Sequence, residues 1–96
     1  MPSSSAGVRR DGDALAFAGA LLRDDVAALW RPASAAADGV RRIDLSAVER
    51  IDSAGLAMLA ELAARAGGDV VVDGAPAGLA ELRGAYRLSP ALGFAN

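Results

Sequence analysis

The sequence predicts an α/β fold: a mixed β-sheet with helices mainly on one face, in the order β-β-α-β-α-β-α. Three observations carry this prediction. Strand-like and helical patterns alternate through the later part of the chain, which argues for a sheet covered by helices. Near the start, the pair Asp11-Gly12 separates two short strand-like runs and marks a hairpin. The length of 96 residues suits one core and not two, with no internal repeat or linker to divide it.

Residues 1–6 read as a disordered start, and 7–96 as a single domain. Val8–Arg10 and Ala14–Phe17 are the hairpin strands flanking Asp11-Gly12-Asp13. Gly19-Ala20-Leu21-Leu22 opens a helical segment that reaches Trp30, with Leu22, Val26, Leu29 and Trp30 at helical spacing. Asp24 and Asp25 fall near its first turn, where negative charge suits the helix dipole. Pro32 is expected to break or kink this helix, with Ala33–Ala37 resuming it until Asp38-Gly39 stops it. Val40–Leu45 is the clearest strand, and Ser46–Arg50 reads as a loop. Ala54–Ala66 is the clearest helix: Leu56, Leu59, Leu62, Ala63 and Ala66 form one stripe, ended by Gly67-Gly68. Met58 and Glu61 are expected to face away from that stripe. Asp69–Val72 is a short β-branched strand closed by Asp73-Gly74. Ala77–Tyr86 reads as a last helix with Leu79, Leu82 and Tyr86 on one face, and Leu88–Asn96 as a tail.

Composition excludes several functions. There are 12 acidic and 10 basic residues, and no basic cluster exceeds two, as in Arg9-Arg10 and Arg41-Arg42. Nucleic-acid binding therefore has no electrostatic footprint. All the basic residues are Arg; with no Lys, no P-loop is possible. The absence of Cys and His removes disulfides, Cys/His zinc sites and His-based acid–base catalysis. Residues 1–7 lack the apolar core of a signal peptide, and no apolar run approaches the ~20 residues of a membrane span. A cytoplasmic protein without direct membrane insertion is expected.

The most informative stretch is Arg50-Ile51-Asp52-Ser53-Ala54-Gly55-Leu56, where a hydroxyl sits beside a carboxylate at the start of a helix. Such a place can hold a phosphate or a partner's surface without disturbing the core behind it. Either Asp52 or Ser53 can cap the helix, which leaves the other for a second task. Gly55 fits close packing or a bend at the helix start. Trp30, the lone Trp, is either core bulk or an interface anchor. Enzyme readings are poorly supported: Ser53 has no His or Lys to activate it. A remote alternative remains, a small metal- or nucleotide-dependent enzyme built on Asp44, Asp52 and Asp73, which lie at strand ends or adjoining loops.

With Asp44-Leu45-Ser46 ahead of it, this motif and the element order resemble the STAS domain family over roughly residues 7–90. The family pattern is a strand ending in Asp-Leu, a short loop, then Asp-Ser/Thr-x-Gly-Leu at a helix start. The resemblance implies a non-enzymatic protein-binding module without a cofactor. In anti-sigma factor antagonists the hydroxyl residue after the motif Asp is phosphorylated by an anti-sigma factor kinase, which maps onto Ser53. In the MlaB-type subgroup the same position contacts the cytoplasmic ATPase of a phospholipid-transporting ABC complex. The segment Asp24–Trp30 is similar to that subgroup's first helix. The resemblance thus implies docking on an ABC transporter ATPase, which would hold the protein peripherally at the inner membrane, or switched binding to an anti-sigma kinase. The expected partner-binding residues are Ser53, Asp52, Trp30, Arg50, Ala54, Met58 and Glu61, with Ser53 the candidate phosphorylation site.

Overall fold

The hairpin forms where the Asp-Gly pair places it. Strand β1 (Gly7–Asp11) runs antiparallel to β2 (Ala14–Leu21), and Gly12 takes φ +62° in the two-residue turn between them. Helix α1 (Arg23–Ala35), β3 (Arg42–Ile51), α2 (Ser53–Arg65), β4 (Val71–Asp73) and α3 (Leu79–Tyr86) follow. The computed structural model describes residues 6–88. The expected tail therefore lies, from residue 89 on, outside the described residues, as do residues 1–5 of the expected disordered start. Ala6 is half-buried against the core.

The sheet has the order β1-β2-β3-β4, with β2-β3 and β3-β4 parallel, so the sheet is mixed as predicted. Leu15, Phe17 and Leu21 of β2 and Ile43 and Leu45 of β3 point to the helix-covered face and are fully buried. Leu56, Leu59 and Leu62 of α2 meet them, each such side chain contributing roughly 1.5–3 kcal/mol by leaving water. Alternate positions such as Ala18 and Arg42 face the opposite side and are exposed.

Three expectations are corrected. Ser46–Arg50 is not a loop but the second half of β3. Its register against β2 slips between Ala16 and Ala18 and again between Gly19 and Ala20, each time leaving an extra residue on β3. Two bulges turn the burial period from two to three, so Leu45, Val48 and Ile51 all reach the core. Gly19–Leu21 likewise belongs to β2, not to the helix, because Leu21 pairs with Ile51 at the far end of the lengthened β3. Pro32 does not break α1, which runs unbroken from Arg23 to Ala35.

Arg10 fixes the far end of α1. Its guanidinium donates to the carbonyls of Ala36 and Asp38, each at 2.7 Å, and to that of Gly12 at 2.7 Å, tying the hairpin turn to the helix exit. Helix α2 ends as its glycine pair suggests: Gly67 N–H donates to Ala64 O and Gly68 N–H to Ala63 O, the bonds of a Schellman cap.

Candidate functional site

Parallel strands joined by helices bring helix N-termini to one rim of the sheet. Leu21 and Ile51 are register partners that end β2 and β3. One residue, Leu22, separates β2 from α1, and one, Asp52, separates β3 from α2, so the two helices start side by side. Ala77 pairs with Arg50 and accepts from Ile51 N–H at 3.1 Å, which brings the start of α3 to the same rim.

Asp52 is the centre of this rim. One carboxylate oxygen accepts from Gly55 N–H at 2.9 Å and caps α2. The other accepts from Arg23 N–H at 2.9 Å, at the first residue of α1. The α1 N-cap is Leu22, whose side chain has no acceptor; Asp25 reaches back to accept from Leu22 N–H at 3.3 Å, and Asp52 supplies the acceptor for the next N–H, that of Arg23. One side chain thus caps two helices. Burial pushes the Asp52 carboxyl upward, but the N–H groups of Gly55, Arg23 and Ala54 outweigh it and hold the carboxyl below its ordinary value.

Gly55 sits where no side chain fits. A Cβ there would lie 2.2 Å from Leu21 O and 2.9 Å from Ile51 Cγ1, so α2 rests directly on the end of β2. Leu21 O also accepts from Asp52 N–H at 3.2 Å, which locks strand end to helix start.

With Asp52 as the cap, Ser53 is the first residue of α2 and exposed. It opens onto a groove of about 310 Å³ lined by Ser53, Ala54, Leu56, Ala57, Ala60, Tyr86, Leu88 and Arg23. The walls are mostly apolar. Tyr86 is 49% exposed rather than packed with Leu79 as its helical spacing implied. Arg23, Ala57, Tyr86 and Leu88 were not legible as site residues, because their meeting depends on where α3 lies against α2.

The remaining expected residues scatter. Ala54 is half-buried and lines the groove, and Arg50 is exposed at the next-to-last position of β3, beside the rim. Glu61 is exposed and pairs with Arg65 at 3.7 Å one helical turn on. Trp30 is half-buried against the core, and the Arg65 guanidinium lies 5.0 Å from its ring centroid. Met58 requires correction: it is 4% exposed, in the core, and cannot line a surface. It lies seven residues, about two turns, before Arg65, on the flank where α1 packs along α2. Helix α2 is covered on that flank as well as by the sheet, so its buried arc is wider than one stripe.

Asp44, Asp52 and Asp73 do not converge. Asp44 and Asp73 are register partners on the open side of the sheet, away from the rim. Asp73 pairs with Arg42. Asp44 accepts from the hydroxyl and the N–H of Ser46, at 2.6 and 2.9 Å, and these bonds hold its carboxyl below the ordinary value. Among the described residues no cluster of three or more carboxylates is placed to hold a metal.

A family model described as "Mlab, STAS domain" matches residues 6–92. The chain belongs to this STAS family. Within it, the domain is 39% identical over 75 residues to the "Intermembrane phospholipid transport system binding protein MlaB" of Escherichia coli (strain K12), covering 75% of this chain and 77% of that protein. The MlaB of Shigella flexneri matches with the same identity and coverage. A solved structure, "Crystal Structure Analysis of Mglu", aligns at TM-score 0.48 and 26% identity, over 76% of this STAS domain and 20% of that chain. Among the described residues of the STAS domain no helix is long and apolar enough to cross a membrane.

Proposed function

We propose that this STAS domain is a non-enzymatic, protein-binding subunit of a phospholipid transport system that docks on the cytoplasmic ATPase of an ABC complex. The identity with MlaB proteins supports the transport system. The observation that supports the docking site is the division of labour at the rim: Asp52 makes both capping bonds, so the exposed Ser53 hydroxyl is not committed to the fold. The non-enzymatic reading rests on a chain without His, Lys or Cys to activate that hydroxyl. Docking would hold the protein at the inner membrane through its partner.

The test is purification of the tagged chain and its Ser53→Asp variant from source cells, with bound proteins identified by mass spectrometry. A carboxylate at the first position of a helix is tolerated, so the variant folds. Beside Asp52 it adds a second negative charge to the docking rim. The expected result is an ABC-type ATPase bound to the wild type and lost from the variant. An ATPase retained equally by both removes Ser53 from the interface. A kinase-fold anti-sigma factor in its place, able to phosphorylate Ser53 with ATP, replaces the reading with that of an anti-sigma factor antagonist.

A further inference from the structure

The groove beside Ser53 has one chemical asymmetry. Beside Ser53 its described walls are Ala54, Leu56, Ala57, Ala60, Tyr86 and Leu88, and the single charged residue that joins them is Arg23. Asp24 and Asp25 follow Arg23 in the chain, and the Asp52 carboxylate feels its charge, yet both Asp52 oxygens accept from backbone N–H groups, of Gly55 and of Arg23 itself, rather than from the guanidinium. Among the described residues the ion pairs are Arg42–Asp73 and Arg65–Glu61, and Arg23 takes part in neither. The Arg23 residue is exposed, and its backbone is fixed by the shared cap at the groove mouth.

We propose that this groove seats an amphipathic segment of the partner whose apolar side chain packs against Ala57, Ala60 and Tyr86 and whose carboxylate pairs with Arg23. The inference rests on the docking reading above and names the chemistry of the docked segment. The alanines at 54, 57 and 60 leave the backbone of α2 close to the surface, as a helix laid in a groove requires. Half-exposed Tyr86 gives a broad apolar wall with a polar tip, a residue type enriched at binding hot spots. Arg23 fixes direction: a segment entered backwards would bury its acid against alanine and leave the guanidinium without a direct ion-pair partner. Its planar fork favours a carboxylate over a neutral acceptor.

The complex of the full chain with the copurified ATPase supplies the test. Affinity is measured for Arg23→Glu and Arg23→Lys, and benzoylphenylalanine in place of exposed Ala57 is photo-crosslinked, with the attached peptide sequenced. Arg23→Glu is expected to weaken binding by about tenfold or more, whereas Arg23→Lys keeps most of it. Arg23→Glu also removes a positive charge that favours the Asp52 carboxylate, so thermal unfolding of each variant accompanies the affinity measurement, and the restoring exchange on the partner separates lost pairing from lost stability. The crosslinked peptide is expected to carry Asp or Glu within a turn of the attached residue, and its exchange for Arg to restore binding to Arg23→Glu. Wild-type affinity in Arg23→Glu, or a crosslink to a peptide without an acid, to lipid or to a second copy of the chain, overturns the proposal while the docking reading stands. A chain that binds no ATPase at all refutes both.

Discussion

Replacing Asp52 by Ala tests the shared cap directly. The substitution removes two hydrogen bonds of 2.9 Å, one at the start of each of two helices. A lost N-cap costs about 0.5–2 kcal/mol, so about 1 kcal/mol for each helix start gives about 2 kcal/mol in all. For a domain of this size each kcal/mol moves the melting temperature by about 4–8 °C, so the variant should melt about 8–16 °C lower. Asp52→Asn keeps one acceptor for a single cap but turns an NH₂ group towards the second N–H, and should lose about half as much. The pH dependence follows from the lowered carboxyl. Because the folded-state value lies below the ordinary Asp value of about 3.9, the contribution is complete above it and is lost as pH falls through the folded-state value. Thermal unfolding followed by circular dichroism should therefore show the gap between wild type and Asp52→Ala narrowing in acid. A gap under about 0.5 kcal/mol at neutral pH would mean that Asp52 does not carry both helix starts.

Other substitutions probe the surrounding parts. Gly55→Ala, whose Cβ would meet Leu21 O at 2.2 Å, should destabilise by about 3 kcal/mol in urea unfolding, since the neighbour is backbone and cannot turn aside. Ser53→Ala should stay within about 0.5 kcal/mol of wild type in the same assay, because the serine is not the cap; a larger loss would reassign it. Arg10→Ala should cost about 1–2 kcal/mol, discounted for exposure, and raise amide hydrogen exchange around Val40, whose N–H bonds Ala37 O beside the lost clamp.

The helix stripe of Leu56, Leu59 and Leu62 and the Gly67-Gly68 stop were legible because they depend on local periodicity and turn chemistry. The second half of β3 was not. Two bulges gave it an apolar period of three, which fits neither a regular strand nor a helix, and the bulges are set by pairing with β2. The same long-range pairing claimed Gly19–Leu21 for a strand although their spacing continued into helical sequence. At the site, the motif marked Asp52 and Ser53, but nothing local could say which would cap, since Asp52 is committed by a second bond to Arg23, 29 residues away. Met58 was misplaced because a helical wheel counts the face towards the sheet and not the flank towards α1. Arg23 and Tyr86 join the groove only through the placement of α1 and α3, a tertiary fact without a local signature.

The double duty of Asp52 also sets the mechanics of the rim. Two helices that share one carboxylate are coupled at their starts: loosening the first turn of α2 also takes an acceptor from the first N–H of α1, which then keeps only its own bonds between Asp25 and Leu22. The surface holding Arg23 and Ser53 is therefore tied together across two helix ends by one side chain. A ligand meeting a surface tied in this way has less ordering entropy to overcome on the domain's side, and a change at either helix start should be felt at the other.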